Sequence, residues 1–435
     1  MRILLRGGKV IDPANGLEDH LDVLLQDGKI ADVGKSLNEP DADCKQVDCS
    51  GLLVVPGLID IHIHGYEHAT PLGIDVDRYC LGRGVTTAVD AGSSGASTFA
   101  GLRKFVAEKC ETRLLGFLHV SLHGLASAGC AGYGAGGECD SLKQVNADQC
   151  SSCINDNRDI LIGVKVRLTA DVCNDGINEN EAFERAMKAA KASNVPLMVH
   201  HSISSVPVEG SADPSVLTCP GSLSKGDIYT HAFHGLKSSI INAKTHTIYP
   251  AVWESKKRGV LFDVGHGMGS FSWTVAEICA KEGFWPDLIG SDLHRESCEG
   301  PAYDLVTVMN KMLCIGMPLK NVIEAVTATP AKAIGWAGHI GSLTIGTTAD
   351  ITLLALESCD IALEDCQGQM RSLRQRLVPK GVWKGGNEVQ ITEPERFPNE
   401  AILESRRKDW PKLLIRDEQR PGSNAKRPKT SWEVK

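Results

Sequence analysis

No stretch of the 435 residues approaches the roughly 18 consecutive apolar residues of a membrane span. Excess positive charge is missing as well. Subtracting 54 Asp and Glu from 46 Lys and Arg leaves −8, which argues against a general nucleic-acid binder. The N-terminus, Met1-Arg2-Ile3-Leu4-Leu5-Arg6-Gly7-Gly8, lacks the long apolar core of a signal peptide. The 15 cysteines are scattered and odd in number, which excludes a dense secreted disulfide framework. Cys150 and Cys153 form a CxxC with no second pair at zinc-ribbon spacing. These absences point to a globular cytoplasmic protein with reduced thiols, no membrane partner and no nucleic-acid partner.

Both ends of the chain carry short strand-like runs separated by turns. Near the start these are Ile3-Leu4-Leu5, Lys9-Val10-Ile11, Leu21-Asp22-Val23-Leu24-Leu25 and Ile30-Ala31-Asp32-Val33. Late in the chain, Leu343-Thr344-Ile345 and Ile351-Thr352-Leu353-Leu354 have the same texture. One small β-sandwich domain is therefore expected from residues 1–55 and 340–390 together. Residues 398–435 turn polar and read as a loosely attached C-terminal tail.

Residues 56–335 have a different rhythm. Apolar runs recur at residues 53–63, 85–89, 114–120, 160–166, 195–199, 228–230, 260–264 and 288–291. Helix-like segments separate several of them. Residues 179–193, for example, place Ala182, Phe183, Ala186, Ala189 and Ala190 at helical spacing. Eight strands alternating with helices predict an α/β protein built on a (β/α)8 TIM barrel. In such a barrel reactive side chains gather where the strands end.

The run ends carry chemistry. The first ends in Asp60-Ile61-His62-Ile63-His64, and the period of two aims both imidazoles to one side. Lys165 lies on the fourth, His200-His201 end the fifth, His231 the sixth, His266 the seventh and Asp292 the eighth. Histidines at four strand ends, an HxH pair among them, with an aspartate on the eighth, predict a metal centre.

The stretch Pro56-Gly57-Leu58-Ile59-Asp60-Ile61-His62-Ile63-His64-Gly65, followed by Lys165, histidines and Asp292, resembles the amidohydrolase superfamily. Residues 325–331 and 341–350 are similar to that superfamily's C-terminal signature. Gly163-Val164-Lys165-Val166-Arg167, Thr230-His231-Ala232-Phe233-His234-Gly235, Asp263-Val264-Gly265-His266-Gly267 and Ser291-Asp292-Leu293-His294 look like a dihydroorotase-like deacetylase branch. The resemblance spans about residues 1–390. It implies that His62, His64 and Asp292 hold one divalent ion and His200 and His231 the other. Lys165, carboxylated to a carbamate, would bridge the two. An ammonium has no lone pair to offer, whereas a carbamate has two anionic oxygens. The implied reaction is attack of a metal-bridging hydroxide on an amide or ester carbonyl, with Asp292 as proton shuttle. Zinc suits the nitrogen and oxygen donors, without excluding manganese, iron or cobalt.

His201 departs from the branch, whose members usually carry an apolar residue there. Adjacent strand positions face opposite ways, so only one of the two histidines enters the barrel. The resemblance favours His200, with His201 as the alternative. His266 is expected to contact substrate, with Arg167, His294 and Arg295 as further candidates; His234 and His246 read as loop histidines. Residues 124–137, rich in glycine, lack a P-loop lysine and read as an active-site loop. The expected substrate is a small acylated molecule. Cyclic amides, as in dihydroorotases and hydantoinases, are the alternative, and a non-catalytic barrel scaffold is the opposing reading. Self-association stays open.

Overall fold

The computed structural model describes residues 2–38, 43–127, 136–210, 213, 215–392, 400–408 and 412–416. Five strands come first: β1 (Arg2–Asp12), β2 (Leu17–Gln26), β3 (Lys29–Gly34), β4 (Lys45–Asp48) and β5 (Leu53–Pro56). The barrel staves follow: β6 (Leu58–Ile63), β7 (Val85–Gly95), β8 (Arg113–His119), β9 (Leu161–Leu168), β10 (Leu197–His201) and β11 (Ile228–Thr230). After a small ribbon of β12 (Ile241–Asn242) and β13 (Thr247–Ile248) comes the stave β14 (Leu261–Phe262). Three strands end the series: β15 (Ile351–Glu364), β16 (Met370–Lys384) and β17 (Asn387–Val389).

Seven staves form one parallel sheet in the order β14-β11-β10-β9-β8-β7-β6. The expected eighth run is too short and irregular to be a strand, yet it occupies the gap. Leu288 bridges Asp263 beside β14, and Leu293 bridges Ile63 at the end of β6. The amide of Asp292 donates to His62 O at 2.7 Å, and that of His64 to Leu293 O at 2.8 Å. Residues 288–293 thus act as an eighth stave, and the fold is a TIM-barrel-like α/β architecture.

The first apolar run does two jobs. Its front half, β5, pairs with β15 and β1; its back half, β6, pairs with β7. Gly57 is the joint, and no side chain fits there. A Cβ would lie 2.3 Å from Thr86 Oγ1 and 2.8 Å from Asp350 Cβ. The end strands form an eight-stranded sheet, β17-β16-β15-β5-β1-β2-β3, with β4 on β1. Ile3, Val10, Val23, Ile351, Leu353 and Trp383 share its apolar core.

The helix Glu179–Ser193 buries Ala182, Phe183, Ala186, Ala189 and Ala190, the face that its spacing predicts. The described part of the tail is less loose than its polarity suggests. Leu403 and Ile415 are buried, Arg406 reaches Glu364 at 3.2 Å, and the amides of Leu414 and Ile415 both donate to Gly235 O. A few apolar anchors outweigh many polar neighbours here; residues 417–435 lie outside the described residues.

Candidate metal centre

His62, His64, Lys165, His200, His231 and Asp292 come from five different staves and line one cavity of about 190 Å³. Asp292 stands at the centre. Its Oδ1 lies 3.3 Å from His62 Nε2 and 3.1 Å from His64 Nε2, and Oδ2 lies 4.0 Å from His231 Nδ1. Ligand atoms of His62, His231 and Asp292 fall within 4.8 Å of one another. Lys165 Nζ is 3.3 Å from His62 Nε2, and the His200 and His231 rings are 4.1 Å apart.

The outer ring nitrogens are committed, as metal-ligating histidines require. His62 Nδ1 meets Thr230 Oγ1 at 2.9 Å and Asp263 Oδ2 at 3.1 Å. His64 Nδ1 pairs with Ser93 Oγ at 3.0 Å, and His231 Nδ1 donates to Gly265 O at 2.6 Å. Each leaves Nε2 uncommitted to those partners. His200 is turned the other way, with Nε2 on Ser202 Oγ at 2.8 Å. The donor set therefore fits divalent ions. Burial, with Lys165 next, holds the His62 imidazole well below its usual range, and burial does the same for His200 and His231. Neutral rings keep the lone pair that a metal needs. Burial alone would raise Asp292, but His62, the His64 hydrogen bond and His231 outweigh it and hold the carboxyl well below the carboxylate range.

Strain gathers here too. Asp292 and His231 adopt positive φ, 49° and 65°, a conformation seldom held by non-glycine residues except where the surroundings enforce it. Gly267 makes room for the aspartate, since a Cβ there would sit 2.1 Å from Asp292 Oδ2.

The two adjacent histidines face opposite sides of the stave. His201 is fully buried on the outer side, accepting from Tyr229 Oη at 3.0 Å and donating to Val206 O at 2.9 Å. Both its nitrogens are spent. His200 is the one that lines the cavity.

His266 does not line the cavity, contrary to the expectation from its stave end. Its Nε2 takes a hydrogen bond from Lys311 Nζ at 2.8 Å, its Nδ1 donates to Gly267 O, and its ring stacks on Phe271 at 4.7 Å. Arg167 does line it, but Glu138 engages the guanidinium through Nε and, at 2.7 Å, through Nη2. Arg295 is exposed and off the cavity wall. His294 borders the cavity with Nδ1 buried and unbonded among the described residues. His234 is satisfied by His201 O and the Leu236 amide, and His246 is exposed. Most of the glycine-rich loop, residues 128–135, lies outside the described residues.

Sequence reasoning gave Asp60, Asp263, Thr230 and Ser93 no role. Asp60 Oδ1 accepts from the Ser291 amide at 3.0 Å and the His62 amide at 3.2 Å, and Oδ2 from Ser291 Oγ. It ties the first stave to the segment that carries Asp292. Burial pushes its carboxyl up to about 7. Only its place in the HxH motif could have flagged it.

Residues 274–389 match the Amidohydrolase family model. A curated deacetylase of Brucella anthropi is 34% identical over 82% of this chain and 85% of its own length. This chain belongs to the amidohydrolase family. Two crystal structures resemble the amidohydrolase across nearly all of their length. One is an adenine deaminase (TM-score 0.78, 29% identity, 89% of this chain and 99% of that one). The other is a dihydroorotase (TM-score 0.76, 30% identity, 91% and 99%). The amidohydrolase is a metal-dependent hydrolase, with a His and Asp cluster suited to divalent ions. No helix among its described residues is long and apolar enough to cross a membrane.

Proposed function

We propose that this amidohydrolase is a binuclear, deacetylase-like enzyme that hydrolyses an amide or ester carbonyl of a small acylated molecule. One observation carries the reading: four histidines, Lys165 and Asp292 converge on one cavity with their ring nitrogens already oriented by outer partners. His62, His64 and Asp292 would hold one ion, His200 and His231 the other, and a carboxylated Lys165 would bridge them; zinc suits this donor set. Burial brings the Lys165 amine down to about 8, against the pull of Asp292 and Asp263, and carboxylation needs such a neutral amine. When bound, the ions supply Lewis acidity toward the carbonyl and toward water. Asp292, ionised at neutral pH, takes the proton of the attacking water and returns it to the departing amine or alkoxide. His294 would contact substrate, a reading supported by its place on the cavity wall and by an Nδ1 with no partner among the described residues.

Assaying metal-loaded protein against N-acetyl amino acids, acetylated hydroxy acids and cyclic amides tests this reading. Turnover of the acetyl series supports it, and turnover of cyclic amides alone would move the assignment to the dihydroorotase kind. Purified protein with no tightly bound metal and no hydrolysis would favour a binding scaffold instead. The free thiols throughout the described chain support work in a reducing, cytoplasmic setting.

The division of labour follows. Residues 56–335 would be the hydrolytic barrel, and residues 1–55 and 340–390 one β-sandwich domain that neither end builds alone. The pairing of β5 with β15 and β1 supports this. Deleting the first 50 residues should bare the edge of β5, uncover Ile351, Leu353 and Trp383, and give insoluble protein, although every proposed ligand remains. A soluble, active protein beginning at Gly51 would refute the partnership.

A further inference from the structure

Just beyond β10, Ile203 adopts a φ of 52°, in the left-handed region. A β-branched side chain there is a genuine outlier, and glycine would fit without strain. The backbone is pinned from two sides: the Ile203 amide donates to Lys237 O at 2.9 Å, and its carbonyl accepts from the Ala170 amide at 3.3 Å. Burial does not offset the strain, because Ile203 is 42% exposed. Met268, 39% exposed, follows the glycine packed on Asp292. Both line the metal-centre cavity, with Leu72 and Leu236 beside them. A strained, exposed Ile203 and an exposed Met268 on the wall of this cavity are explained most simply by a ligand that covers them.

We propose that Ile203 and Met268 are specificity-determining residues that cover an apolar, branched substituent beside the scissile carbonyl. The preferred substrates would then be acyl derivatives of amines or alcohols bearing such a substituent. This rests on the hydrolase reading given above and narrows its substrate class.

The test compares metal-loaded parent, Ile203→Gly and Met268→Ser on N-acetylleucine against N-acetylglycine, both leucine enantiomers included. The esters O-acetyl-2-hydroxyisocaproate and O-acetylglycolate form a parallel pair. The parent should prefer one branched substrate of a pair by about 10-fold or more in kcat/KM. Ile203→Gly should lower that preference about 10-fold, chiefly through KM, as expected when uniform binding is lost. Ile203→Gly should also melt no lower than the parent, because strain is relieved. Met268→Ser should lower the same ratio. A parent with turnover but no preference for a branched substrate would overturn the proposal while leaving the hydrolase reading intact. So would an Ile203→Gly protein that melts lower and loses both series equally, which would mark a structural role. A metallated parent hydrolysing neither series nor cyclic amides would overturn both.

Discussion

Replacing Lys165 by alanine should strip most of the metal and lower hydrolysis by more than about 10²-fold, the upper end for losing a group that merely supports a ligand. Lys165 is 1% exposed on β9, with Nζ 3.3 Å from His62 Nε2 and 3.5 Å from Met198 Sδ. A permanent ammonium there would repel two dications; a carbamate would bridge them. The pH dependence follows from the lowered pKa. With the amine at about 8 rather than 10.5, roughly half is neutral at pH 8, and each unit below that cuts the neutral fraction about tenfold. Reconstitution of metal-free protein at a fixed concentration of dissolved CO2, the species that a neutral amine attacks, should therefore quicken as pH rises toward 8 and level off beyond it. In Lys165→Ala, a short carboxylic acid should restore part of the metal binding and activity. Metal content by mass spectrometry, with the intact mass of Lys165-containing peptides kept near neutral pH, checks both points. An unmodified Lys165 in an active, dimetallic protein would refute the bridge.

How much of this could be read from residues alone depends on where the partners lie in sequence. The HxH pair, Lys165 and the stave-end histidines stand out because strand periodicity and barrel polarity are local rules. Choosing His200 over His201 needed Tyr229 and Val206, which sequence does not place against a particular ring. His266 looked like a substrate contact because it ends a stave. Lys311, on the largely apolar helix Leu305–Cys314, takes its free nitrogen instead. That lysine amid buried neighbours was the available signal, and nothing local tied it to a histidine. Arg167 looked available for an anion until Glu138, from the connection that precedes β9, closed on it. In the described part of the tail, average polarity hides anchors such as Leu403 and Ile415. Short-range pattern thus located the residues that gather at the cavity, while long-range pairing decided which side chains are already engaged elsewhere.

Asp292→Asn should separate proton transfer from metal binding. The amide keeps the size of the carboxylate and one oxygen toward the cavity, so fold and most of the metal should survive on the remaining histidines and Lys165. What is lost is a basic acceptor. His62, the His64 hydrogen bond and His231 hold Asp292 well below the ordinary carboxylate range, so the parent carries an ionised acceptor throughout neutral pH. Its Oδ1 lies against both HxH imidazoles. Without that acceptor kcat should fall on the order of 10²-fold or more, the contribution expected of a positioned general base, with KM changing far less. The sign of the pH effect is fixed by the lowered pKa: activity dependent on ionised Asp292 falls as pH drops through that value, and this acidic limb should vanish in the variant. Metal analysis must accompany the kinetics, because an aspartate acting only as a ligand would lower activity in proportion to lost metal. Near-parental turnover in fully metallated Asp292→Asn protein would refute the shuttle, whereas a slow enzyme with parental metal content and no acidic limb would assign Asp292 to proton transfer.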